Sequence, residues 1–563
     1  MLTDINAPTE NALESGDGMT SKSSPRDSNL PAILAVGVVG AMGLVTLGLA
    51  FAPRDAQAIP SFARQTGQPC ATCHTAFPEL TPFGRRFKLG GYTMGGGMPI
   101  AEAPPLAAML LPTFTKTKVR QDTPPTDPNG YPFAHTNDNF VLQQASLFYG
   151  GQVYGDLGAF VQGTYDRSQQ RTFLDNTDIR YTGTFKLGPK DMVLDVLWGL
   201  DVNNSPTVQD AWNTTPAWGS PYVGPNLAPA FTPPGTQIEG AFSGRTVGTG
   251  GYVFLNDMLY VEASAYHNLS KGQLNALGQA CANNADDVAN SAAWLAATAI
   301  PTVGYGPPAP SFGAPSPCTQ ASLSGAAPYW RVAFEPSWGE HSLMLGAFGW
   351  YPQELPGRIM GYGVDSFRDI GFDAQYQWIS DEHAVTLKIT RISEMQNLQA
   401  TFAQGQAVNL ASALGVANIY GVPLSLGGAS SNPINYLTSF KASAGYVWNR
   451  TISGSVAYFD VHGTADGTLY GNAVLGLPGT SAVGLPDGRG LTFDTAYMPF
   501  SKGGPKEYPW ANAKIGLSYT HYLKMFGGGS NFDGLGTYYN GSSWRSHSAT
   551  DNNTLFLYTW IAF

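Results

Sequence analysis

Charged side chains are scarce in this sequence: Asp, Glu, Lys and Arg make up 12% of its 563 residues, against roughly a quarter in an ordinary soluble protein. Long apolar runs are scarce as well. Beyond the N-terminal region no uninterrupted run reaches the about 18 residues that a spanning helix requires, which excludes a helical membrane protein. Clusters of Lys and Arg are missing, the net charge is -10 and the isoelectric point lies near 5.3. Phosphate-binding surfaces need grouped cations, so nucleic acid is not a partner.

What the chain has in quantity is glycine (67), proline (41) and aromatic residues (12%), within 43% hydrophobic residues and a mean hydropathy of -0.11. That mixture suits an outer-membrane barrel, in which each strand turns one face to lipid and the other to the lumen. From about residue 107 onward the polarity alternates with a period of two, as a strand requires. Ile370, Phe372, Ala374, Tyr376 and Trp378 alternate with Asp369, Gly371, Asp373, Gln375 and Gln377. Val385, Leu387 and Ile389 against Thr386, Lys388 and Thr390 repeat the pattern, as do Ile515, Leu517 and Tyr519 against Lys514, Gly516 and Ser518. About 14 to 16 such segments can be marked, and the even-number rule for single-chain barrels selects 16. A soluble sandwich or propeller would place more charge on its outer face. The closing segment, Leu555 to Phe563, is aromatic and resembles the assembly signal of bacterial outer-membrane barrels.

Residues 1–58 read as a polar leader and signal peptide. An uncharged apolar stretch from Leu30 to Ala52 follows Lys22 and Arg26, and Ala56-Gln57-Ala58 offers a cleavage point after Ala58. An uncleaved anchor is the alternative, and both send the remainder across the inner membrane. Residues 59–105 form a second segment, too short to bury its own core. It therefore needs a covalent cofactor, a surrounding wall, or both, and residues 106–563 supply the barrel. Long irregular stretches at 203–245, 270–327 and 463–490 are expected as extracellular loops. Cys281 and Cys318 share one of them, and a disulfide is expected in an oxidising periplasm, with two free thiols as the alternative.

Cys70-Ala71-Thr72-Cys73-His74 is the sharpest chemical signal. Two thiols three positions apart suit addition across the vinyl groups of a haem, and the following His suits the iron. A thioredoxin-like disulfide would need a βαβ context and a structural zinc site further ligands, neither of which is near. One covalent haem c is therefore expected, with Cys70 and Cys73 as attachment points and His74 as proximal ligand. For the distal position Met94 and Met98 follow on a Gly-rich tether. Met109 at the first strand and His135 are further options, while His267, His341, His383, His462, His521 and His547 read as ordinary barrel or loop residues. Arg85, Arg86 and Lys88 are candidates to neutralise haem propionates.

Beyond the motif, Ile59 to Gly67, Phe77 to Arg85, Phe87-Lys88-Leu89 and Gly91-Tyr92 resemble the opening of the fused monohaem cytochrome–porins of iron-oxidising bacteria. Asp175 to Arg180 and Pro206 to Trp218 resemble later stretches of the same family. The resemblance implies an all-β outer-membrane barrel whose N-terminal cytochrome segment plugs the lumen. It further implies oxidation of extracellular Fe(II), with electrons passed through the haem to a periplasmic cytochrome or copper protein. Two other functions fit the same motifs: a solute channel with an appended cytochrome, and a haem-based sensor anchored by a barrel. Cys70→Ala or Cys73→Ala is expected to abolish covalent haem, read as loss of pigment that survives acid-acetone extraction. His74→Ala is expected to retain the pigment with a disordered iron site.

Overall fold

The computed structural model describes residues 60–563 apart from 122–123, 126–131, 169, 190–192, 215–223, 226, 228–231, 241, 280–321, 357–361, 404–405, 407–417, 420–421, 424–429, 472–480, 504–509 and 540–543. The leader, the Ala58 cleavage point, Cys281 and Cys318 lie outside the described residues.

Sixteen of the strands form a closed wall. They are β1 (Leu106–Thr117), β2 (Asn139–Tyr154), β3 (Leu157–Asp166), β4 (Arg171–Leu187), β5 (Leu194–Asn203), β6 (Thr246–Leu255), β7 (Leu259–Asn268) and β8 (Ala327–Phe334), followed by β9 (His341–Trp350), β10 (Asp365–Ile379), β11 (His383–Asn397), β12 (Ile434–Trp448), β13 (Ile452–Gly463), β14 (Gly488–Tyr497), β15 (Asn512–Lys524) and β16 (Thr554–Ala562). Each pairs antiparallel with the next, and β16 returns to β1, with Met109 opposite Ala562 and Thr117 opposite Thr554. Closure satisfies every strand's ladder and removes the free edges, which is what lipid demands of a spanning sheet. The expected count and the antiparallel barrel are both found.

The alternation read from the sequence sets which way each side chain faces. On β10 the polar set Asp369, Asp373, Gln375 and Gln377 is buried toward the lumen, while Phe372 is 62% exposed on the outer surface. Leu147, Leu200 and Leu345 are exposed outward in the same way. The barrel is thus apolar outside and polar within, the reverse of a soluble fold, and its outer band faces hydrocarbon.

Turns at the end where the chain enters β1 and leaves β16 are short, such as 155–156, 256–258 and 380–382; connections at the other end, including 204–245, 269–326, 398–433 and 525–553, are long. The stretch 204–245 departs from the expected outer loop, because parts of it turn into the lumen. Ile238 N donates to Asp369 Oδ2 at 2.7 Å, and Trp212 Nε1 donates to Glu335 Oε2 at 2.8 Å. The physical reason is that carboxylates facing a narrow interior need donors, and backbone amides of an inserted loop provide them.

In the middle of β10, Phe372→Arg is expected to cost about 2–4 kcal/mol, the range for an arginine at the bilayer midplane, measured by urea unfolding in lipid. A cost below about 1 kcal/mol would place that surface outside the hydrocarbon.

Candidate functional site

Three short helices precede β1: α1 (Pro60–Thr66), α2 (Cys70–Cys73) and α3 (Pro82–Leu89). They belong with the barrel to one compact unit, Arg54–Phe563. The spacing of Cys70 and Cys73 fits a single helical turn, which brings residues i and i+3 to one face. His74 N closes that turn by donating to Cys70 O at 2.9 Å. His74 itself is extended, with φ -128 and ψ 137, so its side chain leaves the helix as the chain turns away. Thr81 Oγ1 caps α3 by accepting from Gly84 N at 3.1 Å, and Thr81 N donates to Cys73 O at 2.9 Å. Gly84 is required here: a Cβ would stand 2.2 Å from the Cys73 carbonyl oxygen. That close approach locks α3 onto the motif.

Among the described residues neither Cys70 nor Cys73 forms a disulfide. Burial, with Cys70 alongside, pushes the Cys73 thiol up to about 12, so by itself it is protonated near neutrality and a weak nucleophile. An uncharged thioether has no such penalty. Burial also lowers His74 to about 4, which leaves a neutral imidazole, the form that binds a metal. Its Nδ1 is buried with no hydrogen-bond partner. Phe77 packs edge-on against the ring, with centroids 5.3 Å apart. Cys70 belongs to a buried apolar cluster with Phe77, Phe87, Tyr92, Phe160, Met109, Met498 and Trp560. Beside Ala71 and Thr72 a cavity of about 350 Å³ opens among turn residues Gly339, Glu340 and Arg450. On the lumen side, another of about 130 Å³ borders Thr75, Ala76, Lys388, Lys441 and Lys514. Paired thiols on one turn, a neutral imidazole with an unpartnered nitrogen and an apolar surround fit a covalently held haem.

The basic residues expected near propionates have other partners. Arg85, 2% exposed, forms an ion pair with Glu335 at the β8–β9 turn, with Nε to Oε2 at 3.1 Å, and donates to Gln377 Oε1 at 3.0 Å. Arg86 pairs with Asp257, and Lys88 donates to the carbonyl of Asp210 at 3.0 Å. Conversely, the wall reaches in: Lys388 Nζ meets Glu79 at 3.0 Å, Lys514 Nζ donates to Phe77 O at 3.1 Å, and Tyr252 Oη donates to Leu89 O at 2.6 Å. Tyr92 Oη donates to Asp178 Oδ2 at 2.5 Å. Buried charges need such partners, and these contacts fix the segment inside the barrel.

The distal candidates separate by position. Met94 is 38% exposed, and its tether is laid along α1, where Met98 N donates to Arg64 O at 2.7 Å and Gln65 Nε2 to Met94 O at 2.9 Å. His135 is exposed. Met109 is buried in the cluster around Cys70. So is Met498, 0% exposed, on the 498–511 turn whose Ser501 carbonyl accepts from Ala71 N at 2.9 Å. Sequence reasoning missed Met498, because a lone methionine over 400 residues from the motif carries no local signal. It also missed Glu335, Lys388 and Lys514 as docking groups, although strand alternation had already placed Lys388 and Lys514 on polar faces.

No protein-family model matches the sequence, and no curated protein does either. Among solved structures the chain is similar to OmpT, an outer membrane protein of Vibrio cholerae, at 9% identity over 81% of this chain and 96% of that one, with a TM-score of 0.34. It is also similar to the outer membrane channel DcaP of Acinetobacter baumannii, at 10% identity over 81% and 96% of the two chains, with a TM-score of 0.36. OccK11 of Pseudomonas aeruginosa compares at 9% identity over 81% and 94%, with a TM-score of 0.32. At those scores the likeness carries no functional argument.

Glu335→Gln leaves Arg85 buried without a counter-charge, and the expected loss is about 3–5 kcal/mol, read from the urea midpoint of the full chain. The double change Arg85→Met with Glu335→Leu is expected to recover most of it. Equal losses in both would mean that packing, not charge, holds the segment.

Proposed function

We propose that this protein is an outer-membrane electron-transfer cytochrome–porin, in which Cys70, Cys73 and His74 would hold one covalent haem c and the chain would relay electrons from extracellular Fe(II) to a periplasmic cytochrome or copper protein. The single observation that carries the reading is the seating of the Cys70–His74 segment in the lumen of a closed barrel, tied to the wall by Arg85–Glu335 and Lys388–Glu79. Bound there, a haem supplies one-electron chemistry whose potential depends on its axial ligands and surroundings. The rest is the work of this chain's own residues.

Cys70 and Cys73 would hold the group from one helical turn, and His74 would offer an imidazole that burial keeps neutral. Phe77, Phe87 and Tyr92 keep water from the motif. Met498 and Met109 are the buried thioethers of that cluster, and Met498, on the turn that Ala71 N meets, joins Met94 and Met98 among the residues that could hold the iron. Fe(II) enters this reading through the resemblance of residues 59–92 to the cytochrome–porins.

Conduction of electrons rather than solutes is supported by what fills the interior. Gln162, Asp178, Arg180, Arg331 and Gln377 point inward and are buried by protein, where an open pore would leave such groups in water. The short-turn end, which carries the motif, is then periplasmic, and the long loops face outward.

Anaerobic Fe(II) is expected to reduce the haem of the purified protein at the organism's working pH; protein that stays oxidised removes iron as donor. A ferrous haem that ignores carbon monoxide is expected, since ready binding would favour the sensor. Met498→Leu is expected to lower the midpoint potential and open the iron to carbon monoxide, whereas Met94→Leu and Met98→Leu leave both unchanged. In planar bilayers the full chain is expected to show no steady solute conductance.

A further inference from the structure

The outward face of the wall contains two charges that hydrocarbon does not accommodate by itself. Arg391 on β11 and Arg368 on β10 are both exposed, and they fall on the same alternation that turns Leu387 and Phe372 outward. Arg391 stands directly opposite Phe372 on one side and Phe440 on the other. Arg368 stands opposite Met395 and leans over it, with Nη2 3.9 Å from Sδ. Met395 is in turn opposite Tyr436, which is 57% exposed. Among the described residues no Asp or Glu forms an ion pair with either arginine, whereas the other outward-facing bases of the same half of the wall, Lys116 and Arg489, pair with Asp138 and Asp460.

Height in the wall is set by the strands. Arg391 is eight residues beyond His383, where β11 leaves the short-turn end, or about 26 Å along a strand. Arg368 is eleven residues from Ile379 at the corresponding end of β10, or about 36 Å. With the usual tilt of about 40° these lengths become heights of roughly 20 and 28 Å, against an apolar band about 25 Å tall. Arg391 therefore lies in the upper part of the band and Arg368 at its upper edge. Long loops stand on the outer side of such barrels, so both arginines meet the outer leaflet. The cost of an arginine at position 372 applies equally to Arg391 across the strand pair: a guanidinium has five N–H donors and no acceptor, and its flanking phenyl rings leave the charge without a counter-ion. An anion of the headgroup layer removes that cost, and a phosphate takes two guanidinium N–H donors at once. Exposed Ser393 lies between Arg391 and Met395 on the same face, with Thr438 opposite, so hydroxyls stand between the two arginines.

We infer that Arg391 and Arg368 form a site on the outer wall for the phosphate groups of an outer-leaflet glycolipid of the lipid A class. Such a lipid brings its phosphates to the edge of the apolar band and its acyl chains down the wall, where Phe372, Leu387 and Ile389 are exposed. Arg368 is already at headgroup level, and the long stem of Arg391 can carry its charge toward the same layer. Bound there, the lipid fastens β10, β11 and β12 to the outer leaflet. The site is on the opposite face of the wall from Lys388 and the lumen. The inference rests on the lipid-facing wall and its orientation, not on the proposed electron transfer, and survives the failure of that reading.

The test uses the full chain in dodecyl maltoside, a detergent without phosphate, with diphosphoryl lipid A as probe and native mass spectrometry and thermal unfolding as readouts. One retained lipid A per chain is expected, together with a higher melting temperature. Arg391→Gln and Arg368→Gln should each weaken retention at least tenfold, and Arg391→Lys, which keeps the charge and loses the planar fork, should weaken it less. In detergent without lipid, Arg391→Gln should melt no lower than the wild type, which separates lost binding from a failure to fold. Equal retention of lipid A by the wild type and both glutamine variants overturns the assignment. So does equal retention of the dephosphorylated glycolipid, which would leave acyl contact alone, and so does displacement of lipid A by millimolar inorganic phosphate, which would make this a site for free anions.

Discussion

A barrel wall in lipid must turn its polar faces inward, and every charge turned inward must find water or a partner. In this chain protein supplies much of that partnership, from both ends. From the short-turn end comes the segment 60–105, whose Arg85, Glu79 and Tyr92 meet Glu335, Lys388 and Asp178. From the other comes the inserted part of 204–245, whose backbone amides and Trp212 meet Asp369, Glu394 and Glu335. The two inserts also touch each other, through Lys88 and the Asp210 carbonyl. Lumen electrostatics therefore decides the interior in a way that hydrophobic burial decides the core of a soluble fold.

That arrangement explains why so small a segment is ordered. Fewer than 50 residues with three short helices bury little on their own, but aromatic residues of the closing strand complete the core. Phe556, Tyr558 and Trp560 face inward and share a cluster with Cys70, Phe77 and Phe87. The C-terminal aromatics thus serve the interior as well as strand pairing, and the motif is packed by residues from opposite ends of the chain. A redox group held there would sit between the barrel mouth and the filled lumen, with its environment set by the wall.

Several features were legible beforehand. Period-two alternation gave the barrel and the facing of Asp369, Gln377, Lys388 and Lys514, since a strand's side chains have only two directions to choose from, and the even-number rule settled a count of about 14 to 16 strands at 16. Spacing alone singled out Cys70, Cys73 and His74. The stretches Asp175 to Arg180 and Pro206 to Trp218, which carry a resemblance but no motif of their own, contact the N-terminal segment through Asp178, Val208 and Asp210. Partner choice was not legible. Nothing in a linear pattern says that Arg85 will meet Glu335, Arg86 Asp257 and Lys88 the Asp210 carbonyl, or that the run carrying Met94 and Met98 will lie against α1.

By itself, then, the sequence determined the local and periodic properties: closed sheet, lipid face, polar lumen, thiol pair and adjacent imidazole. These follow from spacings of two, three and four residues, within which backbone geometry leaves little freedom. Tertiary structure alone decided which distant groups share the interior, joining Arg85 to Glu335, Met498 to the cluster around Cys70 and Gln237 to Glu394. Such meetings depend on the order and tilt of all the strands, because side chains hundreds of residues apart become neighbours only when the wall closes.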